Sequence, residues 1–185
     1  MAQSGDTLVN RAGEQLIFRR TSRETDGALL EVEIVYRPHA TPPPPHYHPH
    51  QEERFQVMQG AIRTEIQGRL HTYGPGERFI IPPGVSHAMH NVSAEAGRVL
   101  WQIRPALRTE LFFETLWGLA HDGKTDQRGV PSPLQLAVLL EAYSQEFRLS
   151  RPPYPIQRVL WAALARVGRW KGYRSSYPAY SDLHP

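Results

Sequence analysis

Between residues 53 and 104 the chain offers a short strand-like run every few residues, and glycine or proline stands at nearly every joint. The runs are Glu53–Gln59, Ala61–Gln67, Arg69–Tyr73, Arg78–Ile81, Ser86–Asn91 and Arg98–Arg104. The joints are Gly60, Gly68, Gly74-Pro75-Gly76 and Pro82-Pro83-Gly84. Evenly spaced short strands with turn residues between them predict a β-sandwich or barrel. Upstream, Glu14–Arg20 is a further candidate strand. In Leu29–Arg37, Leu30, Val32, Ile34 and Tyr36 fall on one face and Glu31, Glu33 and Arg37 mostly on the other, which predicts a half-buried strand. In the last run Val99, Trp101 and Ile103 form the larger apolar face and are expected inside.

After Pro105 the pattern turns helical. Glu110–His121 ends at Asp122-Gly123, Ser132-Pro133 opens a second helix predicted over Leu134–Arg148, and Ile156–Trp170 reads as an amphipathic third. The third has Ile156, Val159, Leu160, Ala163, Leu164 and Val167 on one stripe, with Arg158, Arg166 and Arg169 off it. From Gly172 the tail reads as irregular. The division expected is a β domain over residues 1–105 and a helical extension over 106–185.

At 185 residues with 40% hydrophobic and 21% charged content, the chain suits a soluble globular protein. It has no cysteine, which excludes disulfides, zinc ribbons, iron–sulfur clusters and a cysteine nucleophile. Any metal must be held by His, Asp or Glu. The first ten residues lack the pattern of a secretory signal and no long apolar run is present, so a cytoplasmic location is expected. Net charge is +3, and from Arg148 to Arg174 there are seven basic residues and no acid. We read that run as a solvated face, with no nucleic-acid partner expected.

The densest chemistry lies in His46-Tyr47-His48-Pro49-His50-Gln51-Glu52-Glu53, three imidazoles and two carboxylates behind a run of four prolines. Such crowding points to zinc or a first-row transition metal. Two spaced patterns then stand out: His46-x-His48-x4-Glu53-x6-Gly60, and Gly76-x5-Pro82-x-Gly84-x2-His87-x3-Asn91. With both motifs complete, the sequence resembles the cupin superfamily over roughly Glu14–Pro105. The resemblance implies a mainly β fold, a double-stranded β-helix or jelly-roll barrel. It also implies one divalent metal ion (Fe, Mn, Ni, Co, Cu or Zn) held by His46, His48, Glu53 and His87, and a tendency to pair as homodimers.

The residue pattern agrees. His46 and His48 share a strand face, Pro49 supplies a bend that lets Glu53 face inward, and Gly84 allows the turn that delivers His87. Glu52 is the alternative carboxylate, disfavoured by the spacing to Gly60. His50 continues the 46/48 parity and is a candidate fifth donor or substrate contact, although an exposed loop position competes. Phe55, Val57, Met89 and Trp101 are the expected pocket wall. His90 should point away from the site, and His39, His71, His121 and His184 are assigned no role.

Metal-bound members of this superfamily span many reactions, so fold alone does not choose one. The reading preferred is a metal-dependent enzyme acting on a small aromatic or apolar molecule, a dioxygenase in which Glu53 also serves as base. The alternatives are a redox-neutral isomerase, epimerase, lyase or cyclase, and a non-enzymatic small-ligand-binding protein. For the helical extension, packing on the barrel or on a partner subunit is preferred to contact with a membrane surface.

Overall fold

A computed structural model describes residues 2–126 and 128–181; His184 and the end of the tail lie outside them. Eleven strands are found among the described residues: β1 Thr7–Val9, β2 Gln15–Arg20, β3 Leu30–Tyr36, β4 His46–Tyr47, β5 Glu52–Gln59, β6 Ile62–Ile66, β7 Arg69–Tyr73, β8 Arg78–Ile81, β9 His87–Asn91, β10 Gly97–Arg104 and β11 Arg148–Leu149. Four helices accompany them: α1 Thr109–His121, α2 Pro133–Ala142, α3 Tyr154–Trp170 and α4 Pro178–Ser181. One sheet runs β1-β2-β3-β10-β5-β8 and the other β11-β4-β9-β6-β7, with neighbours antiparallel throughout. This is a mainly β cupin fold with a helical extension.

Period-2 patterning sets the interior. Phe55 and Val57 of β5, Phe79 and Ile81 of β8, Met89 of β9 and Val99 of β10 close one apolar cluster with Ile62. A second cluster joins Leu16, Phe18, Leu30, Val32, Ile34 and Ile103 of the barrel to Phe112, Phe113, Leu119, Leu139 and Tyr143 of the helices. Tyr36 and Trp101 touch both. The change from strand to helix near Pro105 therefore does not separate two cores.

The polar face of β3 is not wholly solvated. Glu33 is 3% exposed and lies between Arg19 and Arg98, each within 2.5 Å. Burial pushes its carboxyl up, but hydrogen bonds from the two guanidinium groups outweigh this and hold it below the usual range. A carboxyl depressed in the folded state adds stability above its unfolded pKa and loses it as pH falls through the folded value. Glu33→Gln is expected to lower stability at neutral pH by about 1–2 kcal/mol. Thermal melts of both proteins across acid pH should show the gap closing.

One helical prediction is corrected. The helix predicted to Arg148 ends at Ala142, and Arg148–Leu149 instead pairs with Tyr47 and His46 as β11. Backbone demand at the β4 edge overrides the local helical pattern there. The apolar stripe of α3 does not meet the barrel: Ile156, Val159, Leu160, Val167 and Trp170 are exposed, while Gln157, Ala165 and Gly168 are buried. A Cβ on Gly168 would stand 2.8 Å from the Leu134 carbonyl oxygen and from Val138 Cγ2, so the small residues let α3 lie close on α2.

Candidate metal centre and its cavity

The four residues of the two motifs come together. β4 pairs with β9 at His46 opposite His87, which sets two imidazoles side by side with centroids 4.5 Å apart. His48 follows β4 directly. The Pro82–Val85 turn is pinned by the Gly84 N–H donating to the His48 carbonyl at 2.8 Å, and Gly84 takes φ +77°, a value that suits glycine. The chain bends at Pro49-His50, and β5 then carries Glu53 inward, fully buried.

Each imidazole is held by its Nδ1. His46 Nδ1 lies 2.9 Å from the Pro44 carbonyl, His48 Nδ1 2.7 Å from that of Glu146, and His87 Nδ1 3.0 Å from that of Val85. A carbonyl only accepts, so Nδ1 carries the proton and Nε2 is left with its lone pair. One ring nitrogen from each histidine falls within 4.8 Å of the others. Glu53 Oε1 stands 3.2 Å from His48 Nε2, and Oε2 stands 3.1 Å from His87 Nε2. Neither carboxylate oxygen, nor His48 Nε2, has a protein partner in hydrogen-bond geometry, although all are buried.

Buried polar atoms without partners are costly, unless something else satisfies them. Two donors about 2.1 Å from one ion and at right angles to each other lie about 3.0 Å apart. The Glu53 separations from His48 and His87 match that figure, and the three clustered imidazoles are compatible with a divalent ion. Burial, with the His87 and His48 charges, holds His46 well below its ordinary pKa. Burial also lowers His48, against the pull of Glu53. Burial alone would lower His87 as well, but Glu53 outweighs it and the net direction is up.

The helical extension walls one side of the site and reaches the centre itself. The Glu146 carbonyl that orients His48 belongs to the segment between α2 and β11, and Phe147 stacks on His46 with centroids 4.6 Å apart. The Glu146 carboxylate is buried and paired with Arg108 just before α1, Nε to Oε1 at 2.9 Å. Gln51, also buried, donates to the Pro105 and Ala106 carbonyls and to Thr109 Oγ1. Glu146→Ala should cost about 1–2 kcal/mol, because the remaining Arg108 is half exposed and rehydrates. Metal affinity should fall by less than about tenfold, because the carbonyl that orients His48 belongs to the backbone and is kept in the variant. Calorimetric titration with a divalent ion and thermal melts check both numbers.

Beside the donors opens a cavity of about 290 Å³. His46, His48 and His87 line it at one side, and its walls are Phe55, Met89 and Trp101 of the barrel with Phe112, Phe113, Leu116, Trp117, Leu136, Leu139, Leu140 and Phe147 of the extension. Tyr36 and Glu14 add polar groups. Burial pushes the Tyr36 hydroxyl far up, reinforced by Glu14 and Glu53, so it stays protonated and can donate. Trp101 Nε1 is buried without a protein acceptor. Of the expected pocket wall, Phe55, Met89 and Trp101 line the cavity. Val57 is corrected: it is fully buried in the barrel cluster and not on the cavity surface. His50 is corrected too. The bend after Pro49 leaves it exposed, outside the cavity lining. Glu52 is paired with Arg54 at 2.6 Å. Tyr36, Phe147 and the aromatic residues of α1 are the site residues that sequence reasoning missed. The signal for Tyr36 was its place on the apolar face of β3, and for the others only apolar content, which reads equally as helix core.

A family model described as cupin domain matches residues 32–103. The protein named probable oxidoreductase patJ, from Aspergillus clavatus, is 28% identical over 184 residues, covering 91% of this chain and 55% of its own length. Probable oxidoreductase yanE, from Aspergillus niger, is 24% identical over 191 residues, covering 95% of this chain and 71% of its own. The chain thus spans little more than half of the first of these relatives. Among solved structures, the polyketide cyclase RemF from Streptomyces resistomycificus superposes with a TM-score of 0.46 and 20% identity, over 60% of this chain and 92% of that one.

Proposed function

We propose that this chain, which belongs to the cupin superfamily, is a metal-dependent oxidoreductase acting on a small aromatic or otherwise apolar molecule, with dioxygen as co-substrate. The observation that carries the reading is the donor set: three imidazoles whose Nδ1 atoms are tied to carbonyls, facing a buried carboxylate without hydrogen bonds, at the side of an aromatic cavity. His46, His48, His87 and Glu53 would hold the ion. A bound divalent metal supplies Lewis acidity there and, if it is redox-active, electrons for dioxygen. The oxidoreductase class is supported by the names of the two Aspergillus relatives, at low identity.

The rest of the chemistry belongs to the chain's own side chains. The cavity is at the small end of the ligand-pocket range, about 300 Å³ and upward, which suits a molecule of one or two rings. Phe55, Trp101, Phe112, Phe113, Trp117 and Phe147 stack against flat substrates and exclude water. In this reading Glu53, beside the donors, would take a proton from a substrate oxygen or carbon acid, and Tyr36, on the cavity wall, would give one.

The test is purification with metal analysis, then oxygen uptake on phenols and 1,3-diketones of one and two rings. Oxygen consumption that requires a redox-active ion supports the proposal. Failure to bind metal under any loading condition overturns it. Turnover in anaerobic buffer with zinc would move the chain to the isomerase, lyase or cyclase class. Tight binding of the same compounds without turnover would make it a ligand-binding protein.

A further inference from the structure

The outward face of α3 is the largest feature that the metal centre and cavity leave unexplained. At 100° per residue, Ile156, Val159, Leu160, Ala163, Val167 and Trp170 fall within an arc of roughly 100°. That arc looks away from α2. Val159 is 69% exposed and Trp170, the last residue of the helix, 84%. Arg166 and Lys171 fall at the two edges of the arc, both exposed. The 17-residue helix is about 25 Å long, so the apolar strip runs along most of it. No helix among the described residues is long and apolar enough to cross a membrane.

We infer that α3 docks this protein on an anionic lipid bilayer, lying in the interface plane with its apolar strip among the acyl chains and its flanking cations at the headgroups. Charge selects this occupant. Between Arg148 and Arg174 there are seven basic residues and no acid. Glu141 of α2 is already taken by Arg169, with both guanidinium nitrogens on its carboxylate. A second copy seated on the same face would add its basic flanks to these, with no carboxylate from residues 148–174 to pair them. A dimer formed elsewhere on the molecule is unaffected. An anionic headgroup layer complements those cations, whose long alkyl stems can reach from the edge of the strip to the headgroups. An exposed tryptophan at the end of an amphipathic helix, next to Lys171, suits the boundary between acyl chains and headgroups. Apolar burial and basic flanks together provide the two signals that stable peripheral attachment requires. The inference does not depend on the metal centre.

The experiment is sedimentation of the full chain with vesicles of phosphatidylcholine alone and of phosphatidylcholine mixed with phosphatidylglycerol. Binding should be about ten- to thirtyfold tighter to the mixed vesicles, from two cations near the surface, and should weaken as salt is raised. Tryptophan emission should shift to the blue on binding, and Trp170→Phe should remove most of that shift. The double variant Val159→Ser/Val167→Ser should lose at least tenfold in vesicle affinity with an unchanged circular dichroism spectrum, since both side chains are exposed. Equal binding to both vesicle types, or none to either, overturns the inference. So does a solution dimer in sedimentation velocity that the same double variant dissociates, which would assign the face to a second copy. An acidic protein competing the chain off its vesicles only through the cations, with the serine variant unaffected, would also count against a lipid role for the strip.

Discussion

His87→Ala is expected to lower affinity for a divalent ion by at least about a hundredfold. Losing a residue that merely orients a ligand costs ten- to a hundredfold, and losing a donor should cost no less. His87 stands opposite His46 across the β4–β9 pair, and its Nε2 is 3.1 Å from Glu53. Without it the buried Glu53 carboxylate keeps only the His48 contact. The fold should survive, because the change removes one ring and its bond to the Val85 carbonyl, a loss of about 2–3 kcal/mol. Metal content after dialysis, titration calorimetry and the visible spectrum of a cobalt-loaded sample give three readouts independent of turnover. His71→Ala is the control: His71 lies on exposed β7, its ring tilted against that of Tyr73. If both variants kept the wild-type metal content, the donor set described above would be wrong.

How far the sequence reaches can be judged at particular residues. The barrel strands were legible because glycine and proline mark their ends and period-2 patterning marks their faces. Arg69–Tyr73 and Arg78–Ile81 fall at the predicted residues, and the other predicted strands differ by one residue at one or both ends, whereas β1 and β11 were not predicted. The parity argument at the site was equally local. Two residues on one strand face bring in His46 and His48, and a bend at Pro49 resets the phase for Glu53.

What the sequence could not supply was non-local. Nothing within Leu134–Arg148 says that residues 148 and 149 are claimed by the edge of β4, or that a carbonyl at Glu146 meets His48. Periodicity marked α3 as amphipathic but could not say which side faces in. The usual rule puts the apolar stripe inside, and here Ala165 and Gly168 take that side by close approach to α2. Val57 was correctly phased inward, yet at its level the interior is packed core and not cavity.

Truncation after Pro105 is expected to abolish stable folding altogether. Removing the extension takes Phe112, Phe113, Leu119, Leu139 and Tyr143 from a cluster they share with Leu16, Phe18, Leu30, Val32, Ile34 and Ile103. Deleting one such large side chain from a core costs about 2–5 kcal/mol, and a whole domain is stable by only about 5–15 kcal/mol. Five at once exceeds that margin. The loss also strips β11 from β4, the Glu146 carbonyl from His48 and the Thr109 hydroxyl from Gln51. The shortened chain should therefore be insoluble, or soluble with no cooperative thermal transition, and should not retain metal through dialysis. A soluble fragment that melts cooperatively and binds metal like the full chain would show that the barrel is self-sufficient. The shared core predicts otherwise, because the residues that orient two of the imidazoles and wall most of the cavity come from beyond Pro105.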